Sequence, residues 1–338
     1  MKKILITGGA GYIGSHTAVE LWNAGLEPII LDDFSNSHET VLDRLEEITG
    51  KRFAFYKGDC NQREILDQIA QDHQLAGVIH FAAFKAVGES TQQPLAYYKN
   101  NLGSLLVLLE FMQDKGIQNI VFSSSCTVYG QPDVLPVTEA TPRKDAESPY
   151  GNTKRIGEDI LVDYVKSKPG IRVVALRYFN PVGAHPSAKI GELPMGTPQN
   201  LVPFITQTAA GIRQKLTVFG NDYDTPDGSC VRDYIHVVDL ADAHVKALRF
   251  LFEKPLDFYE VFNVGTGKGN TVLEVILAFE QVNGLKLAYE IGPRRAGDVV
   301  KTWADTQKIN AVLGWHPKYS LEDCMRDSWR WQQTLPSS

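Results

Sequence analysis

The segment from Ile4 to Gly14, ILITGGAGYIG, constrains the fold of this 338-residue chain more than any other. A short strand-like run, Ile4 to Thr7, meets glycines at 8, 11 and 14, and a helical pattern from Ile13 to Asn23 follows at once. Glycines 8 and 11 let the chain turn tightly and let its backbone approach a ligand, while Gly14 lets a helix pack close to a strand. Similar alternation continues. Apolar runs at Pro28 to Asp32, Phe53 to Lys57, Gly77 to Phe81, Asn119 to Ser123 and Arg172 to Arg177 read as strands. Between them, His38 to Thr49, Arg63 to Asp72, Pro94 to Lys115 and Ser148 to Ser167 read as helices. Strands that are apolar on both sides imply helices on both faces of the sheet. The predicted class is α/β, a doubly wound parallel sheet of the Rossmann kind.

After Asn180 the texture changes to Gly- and Pro-rich connections. The patterns there predict a helix at Val202 to Gly211, a strand at Leu216 to Phe219, a helix at Val238 to Phe252 and a strand at Glu260 to Val264. A helix opening at Thr271 and a last helix from Leu321 complete the reading. Residues 1–180 are expected to form a dinucleotide-binding domain and 181–338 a smaller α/β substrate-binding region, with a soft boundary, some interleaving and one shared cleft. A net charge of −6 disfavours binding to nucleic acid, so an anionic ligand would need local arginines and backbone amides. The N-terminal apolar run is interrupted too early for a signal peptide, and no stretch is long enough to span a membrane. A cytoplasmic protein is expected. Cys60, Cys126, Cys230 and Cys324 show neither a disulfide framework nor metal-ligand spacing, so they read as free thiols with no metal site.

A helix N-terminus behind a glycine turn offers N–H groups and the positive end of its dipole to a diphosphate. The second strand ends in Asp32 and Asp33, and Asp32 lies 18 residues after Gly14, where a carboxylate would accept hydrogen bonds from an adenosine ribose. That charge would repel a 2′-phosphate, which favours NAD over NADP. Two other strand ends, Gly58-Asp59-Cys60 and Phe81-Ala82-Ala83-Phe84-Lys85, would border the adenine and the nicotinamide ribose. Asp59 could equally cap the helix that begins at Arg63.

Tyr150 and Lys154 stand four apart at the start of a helix and therefore share a face. A tyrosine titrates near ~10 and is a poor base. A neighbouring ammonium and an oxidised nicotinamide would draw its pKa down, making a proton acceptor for an alcohol whose carbon loses hydride. Such a pair in isolation is most often a solvent-facing helix pair, but here it accompanies a strand that ends in Ser123-Ser124-Ser125-Cys126-Thr127-Val128-Tyr129-Gly130. Hydroxyls at the carboxyl end of such a strand face the ligand crevice, although any one of them could simply form a turn.

The motifs TGGAGYIGSH, SSSCTVYG and YGNTK, with RYFNPVGAH at 177–185 and RRAGD at 294–298, resemble those of the UDP-glucose 4-epimerases, a family of extended short-chain dehydrogenase/reductases. This resemblance spans nearly the whole chain. It implies a tightly bound NAD, Tyr150 as base, Lys154 as the ribose-binding residue that lowers the tyrosine pKa, and Ser125 as the hydroxyl partner. For the cofactor it further implies Tyr12, Ile13, Asn36, Ser37, Asn100, Ser123, Tyr178 and Phe179, beside the glycines and Asp32, Asp33, Asp59, Cys60 and Lys85. For a UDP-sugar it implies Thr127, Asn180, Asn200, Leu201, Phe219 and Tyr234, with Arg232 and Arg295 on the phosphates and Asp298 on the uridine ribose. Arg232 could instead pair with Asp233 or Asp239.

The activity implied is interconversion of UDP-glucose and UDP-galactose in galactose metabolism and in supply of donors for surface polysaccharide, by a homodimer packed through the helices near 95–115 and 150–165. A sugar 4,6-dehydratase would need an Asp-Glu pair where this chain has Cys126 and Thr127. A 4-ketoreductase would release NADP, and a non-catalytic nucleotide sensor would usually lose the Tyr/Lys pair. Thr302 stands where some bacterial members carry a tyrosine, which opens room for a 2-N-acetyl group and for UDP-GlcNAc and UDP-GalNAc as substrates.

Overall fold

A computed structural model describes residues 1–295 and 298–336; Ala296 and Gly297 of the RRAGD motif lie outside the described residues. The chain divides into two compact units that exchange segments along the sequence. Met1–Gly130, Pro142–Tyr178 and Ala241–Phe262 form the first, while Gln131–Thr141, Phe179–Leu240 and the residues from Asn263 onward form the second.

In the first unit, β1 (Lys3–Thr7), β2 (Glu27–Asp32), β3 (Ala54–Lys57), β4 (Leu75–His80), β5 (Asn119–Ser125) and β6 (Arg172–Tyr178) belong to one seven-stranded sheet. Its order is the strand Phe258–Val264, then β6, β5, β4, β1, β2 and β3. The pairs from β3 to β6 are all parallel. Its helices are α1 (Tyr12–Asn23), α2 (Thr40–Thr49), α3 (Arg63–Asp72), α4 (Val87–Gln92), α5 (Pro94–Lys115) and α6 (Pro149–Lys166), joined by most of the helix Val237–Leu251. Leu5, Ile29, Val78, Ile120 and Val173 from the strands share a buried cluster with Leu66, Leu108, Phe111 and Leu161 from the helices. Ends of helices follow local chemistry. Pro94 and Pro149 occupy first-turn positions, where a missing N–H costs nothing, Ser148 accepts from Gly151 N, and α5 ends on the left-handed Gly116.

Reversal of the strand order on either side of β1 places the carboxyl ends of β1 and β4 at a switch point, where sheets of this kind bind ligands. The strand Phe258–Val264, read from sequence within the C-terminal half, extends this sheet beside β6 and begins with a bond from Phe258 N to Ile171 O of 3.1 Å. Strand pairing across so long a stretch of chain leaves no trace in local pattern. The short helix α4 and a 3₁₀ turn at Cys126–Tyr129 have too few residues for a legible period.

The second unit is built around Val202, Ile205, Phe279 and Met325, which join helices Leu201–Ala209, Val272–Asn283 and Leu321–Gln333 in one apolar cluster. Capping boxes at Thr271/Glu274 and Ser320/Asp323 start the last two helices. Two-stranded pairings accompany them: Asn180–Val182 with Tyr234–His236, Val231–Arg232 with Asn270–Thr271, and Leu216–Phe219 with Tyr289–Gly292. All four cysteines are free, and among the described residues no helix is long and apolar enough to cross a membrane.

Candidate active site

The glycine turn has the shape that a diphosphate requires. Gly8 is left-handed at φ +70°, and a Cβ there would lie 2.9 Å from Ala82 N; one on Gly14 would lie 2.2 Å from Gly8 O. A Cβ on Gly11 would approach Gly8 O at 3.2 Å, and beyond that contact it would face open space. No side chain caps the first turn of α1, where Tyr12 and Ile13 lie. At the end of β2, Asp32 is buried, taking Ser37 Oγ at 2.7 Å and Phe34 N at 2.9 Å on Oδ1 and Ala10 N at 3.0 Å on Oδ2. A carboxylate oxygen has two lone pairs, so Oδ2 can still accept from a ribose hydroxyl. Burial outweighs these bonds and raises the Asp32 pKa. Asp33 accepts from Ser35 N at 2.9 Å, and Asn36 is exposed. These residues are the kinds NAD needs, glycines where a backbone must approach a diphosphate and a carboxylate with a free lone pair for a ribose hydroxyl.

Asp59 does not cap α3, whose N-cap is Gln62. Its carboxylate instead takes Asn61 N and Nδ2, and Asn61 Nδ2 also reaches Asn100 Oδ1 at 3.2 Å. From there a hydrogen-bonded chain runs to α6: Asn100 Nδ2 to Asn101 Oδ1 at 3.0 Å, Asn101 Nδ2 to Thr153 Oγ1 at 3.0 Å, and Thr153 Oγ1 to Tyr150 O at 2.7 Å. Asn101 also clamps both the N–H and the C=O of Phe84, within the stretch that holds Phe81 to Lys85. Nothing in the sequence singled out Asn101, whose only signal is an amide on the buried face of α5. Cys60 is buried, which with the Asp59 charge pushes its thiol up to about 12, and Lys85 is exposed.

The Tyr150 phenol hydrogen-bonds the Ser125 hydroxyl, which also accepts from Thr127 N at 3.2 Å. Lys154 is buried and donates to Ser123 O at 2.7 Å, with its Nζ 5.9 Å from the Tyr150 ring centre. Ser123 Oγ meets the Tyr178 hydroxyl, and the shielded Thr127 hydroxyl has no hydrogen-bond partner among the described residues. Such an orphan suits a ligand oxygen.

In the chain by itself burial dominates the electrostatics. It pushes the Tyr150 phenol up to about 12, against the Ser125 bond that lowers it, and draws the Lys154 ammonium down to about 7. His80, bonded to Thr7 Oγ1 at 2.7 Å, is driven to about 3 by burial and then by the Lys154 charge, and is therefore neutral. The depression of the phenol pKa that the sequence suggested thus needs positive charge from outside the chain.

A second group of predicted residues lies in the second unit. Arg295 holds Asp298 with Nη2 at 2.7 Å from Oδ1 and Nε at 3.2 Å from Oδ2, and Arg232 Nη2 stands 3.7 Å from Oδ1. Two guanidiniums against one carboxylate leave a net positive charge, as a diphosphate needs. The Arg295 guanidinium also lies 5.6 Å from the centre of the exposed Phe219 ring. Arg232 pairs with neither Asp233 nor Asp239, because Asp233 accepts from Thr266, Gly267 and Ala304 and Asp239 from Lys318 and Tyr319.

Thr302 is buried, its N–H bonded to Val231 O at 3.1 Å. Asn180 N donates to Asp233 O, and Phe179 N to Val264 O. Asn200 Nδ2 holds Glu192, while Leu201 and Tyr234 pack on the apolar cluster, where burial raises the Tyr234 pKa.

A nucleotide-binding turn joined to a Tyr/Lys helix on a doubly wound sheet defines an extended short-chain dehydrogenase/reductase. A family model described as GDP-mannose 4,6 dehydratase matches residues 5–328. A UDP-glucose 4-epimerase of Bacillus subtilis (strain 168) is 51% identical, covering 98% of this chain and 97% of that protein. Among solved structures, a Stenotrophomonas maltophila UDP-glucose 4-epimerase with bound NAD and formylated UDP-arabinopyranose is 46% identical with a TM-score of 0.96, over 98% of both chains. One from Bifidobacterium longum in complex with NAD+ and UDP is 45% identical with a TM-score of 0.95, over 99% of both. The chain belongs to the UDP-glucose 4-epimerase family.

The buried Lys154 makes stability depend on pH. An unfolded lysine holds its proton to about 10.5 but the folded one only to about 7, so between these values the unfolded state binds more protons and stability rises with pH. Lys154→Met removes that penalty. Urea unfolding of nucleotide-stripped protein is expected to show the variant gaining a few kcal/mol relative to wild type at neutral pH, compared with their difference near pH 10.5. A difference that does not change with pH would contradict the burial argument.

Proposed function

We propose that this protein interconverts UDP-glucose and UDP-galactose by inverting C4 of the hexose through a 4-keto intermediate. The observation that carries the reading is the Tyr150 phenol bonded to Ser125 with Lys154 anchored beside it on the end of β5. Bound NAD supplies the hydride acceptor and the hydride donor in turn. Tyr150 takes the C4 hydroxyl proton on its phenolic oxygen and later returns it, while Ser125 and the orphan Thr127 hydroxyl hold the sugar oxygen. Lys154 binds the ribose next to nicotinamide, and its ammonium favours the phenolate once the cationic ring is present. Arg232, Arg295 and Asp298 grip the uridine diphosphate while the keto sugar turns over, so hydride returns to the other face. No net oxidation occurs, which suits a cofactor that stays bound. Cys126 and Thr127 stand where a 4,6-dehydratase needs its acid/base pair, which argues against elimination. Four free thiols and the absence, among the described residues, of a membrane-crossing helix support a cytoplasmic enzyme.

Two finer features belong to this proposal. Thr302 has a smaller side chain than the tyrosine some bacterial members carry there, which supports N-acetylated substrates as well. Leu95 and Leu106, three helical turns apart on α5, are 82% and 47% exposed and support a homodimer packed through α5 and α6.

Purified protein given UDP-galactose and no added cofactor is expected to form UDP-glucose, and Tyr150→Phe to lose about 10³-fold in kcat with UDP affinity unchanged. Near-normal turnover by that variant would remove the proposed base. UDP-GalNAc is expected to be converted at high enzyme concentration, more slowly after Thr302→Tyr; absence of conversion by wild type rules it out. Sedimentation is expected to give a dimer that Leu106→Glu dissociates, and a wild-type monomer would end that assignment.

A further inference from the structure

Tyr150, Lys154 and Glu158 follow one another at four-residue spacing and so form a single stripe on α6. Each meets the end of β5: Tyr150 at the Ser125 hydroxyl, Lys154 at Ser123 O, and Glu158 Oε1 at the Ser124 hydroxyl, 2.5 Å away. Glu158 is fully buried. Arg177, the register partner of Ser124 on β6, donates to it twice, from Nε to Oε1 at 2.8 Å and from Nη2 to Oε2 at 2.5 Å. The remaining arm of Arg177 reaches the Tyr129 hydroxyl at 2.9 Å, with the guanidinium 4.9 Å from that ring's centre. Tyr129 ends the 3₁₀ turn that starts beside Ser125 and carries Thr127. Arg143, partly exposed, adds an edge contact to Oε2 at 3.4 Å. One carboxylate therefore ties α6 to β5, to β6 and, through Arg177, to the turn.

A buried ion pair contributes little net stability compared with apolar residues of the same volume, because desolvation offsets its attraction. What a planar, doubly bonded pair does supply is a single allowed geometry. The other two members of the stripe carry the proposed chemistry, Tyr150 exchanging its proton and Lys154 sharing its three N–H donors between Ser123 O and a ribose, so Glu158 is the member whose bonds are structural alone. We propose that Glu158 and Arg177 are positioning residues for epimerisation, a clasp that keeps the Tyr150 phenol, the Ser125 hydroxyl and the Lys154 ammonium in register while their own bonds change. The inference rests on the reading of Tyr150 as the proton acceptor. Neither clasp residue touches substrate or cofactor in this scheme.

Two variants of the NAD-loaded enzyme test it. Ser124→Ala removes one bond to Glu158 without altering charge, and Glu158→Gln removes the charge while keeping the shape. With turnover expressed per bound NAD, kcat for UDP-galactose is expected to fall about tenfold in Ser124→Ala and about 10²-fold in Glu158→Gln, because small misplacements of reacting groups are costly. KM is expected to stay within about twofold, since the affected term is alignment and not binding. A purely structural role would lower the melting temperature and the NAD-loaded fraction but leave kcat and KM per bound NAD in place. Wild-type kcat per bound NAD in Ser124→Ala overturns the clasp, and it decides alone if Glu158→Gln does not fold. An inactive wild-type enzyme would bring down the underlying reading and the clasp with it; an active one with unimpaired variants brings down the clasp alone.

Discussion

Between β1 and α1 the backbone comes so close to itself that a Cβ on residue 14 would lie 2.2 Å from the carbonyl oxygen of Gly8. That contact permits only glycine, and it sets how far the first turn of α1 stands from the sheet. Gly8, left-handed and pressed against Ala82, fixes the other side of the turn and links the end of β1 to the end of β4. The switch point, the open face at Gly11 and the reach of Asp32 to Ala10 all depend on this approach. A ligand-binding turn is thus written into the sheet as a steric condition and needs no cationic side chain of its own.

The second physical theme is burial of groups that chemistry needs charged. Lys154 and Tyr150 sit where the chain alone favours their neutral forms, with the lysine drawn to about 7 and the phenol raised to about 12. A cation brought close to such a phenol would favour its ionised form. Neutral His80 beneath them adds no competing charge. The buried Glu158 carboxylate is matched by Arg177, so it anchors the helix without placing an unbalanced negative charge beside Lys154. The Glu158 and Arg177 charges thus offset each other, whereas Lys154 is buried with only a carbonyl oxygen as its hydrogen-bond partner among the described residues.

In the second unit the logic is reversed, because positive charge is left in excess. Arg232 and Arg295 share one carboxylate, Asp298, which holds both guanidiniums without cancelling them. In an acidic chain of net charge −6, a local surplus of this kind offsets the general repulsion of an anion. Asp233 and Asp239, the alternative partners next in sequence, are consumed by backbone amides instead. The two arginines therefore meet at Asp298 and not at those carboxylates.

Local pattern was enough to read the sheet's first six strands, five of its helices, the glycine turn and the Tyr150/Lys154 stripe. Each depends on short-range rules: strand length, helical period, and the need for glycine where a backbone must come close. Family motifs added the residues of the UDP-sugar group, because composition alone cannot say which of many arginines face a ligand. Only the tertiary structure decided that Phe258–Val264 joins the first sheet, that Asn101 ties the Phe84 loop to α6, and that Glu158 meets Ser124 and Arg177. The same holds for the choice of Arg232 and Asp59 between rival partners. Those outcomes turn on contacts between residues far apart in the chain, where distance and desolvation select one partner among several of equal local plausibility, and no local period records that selection.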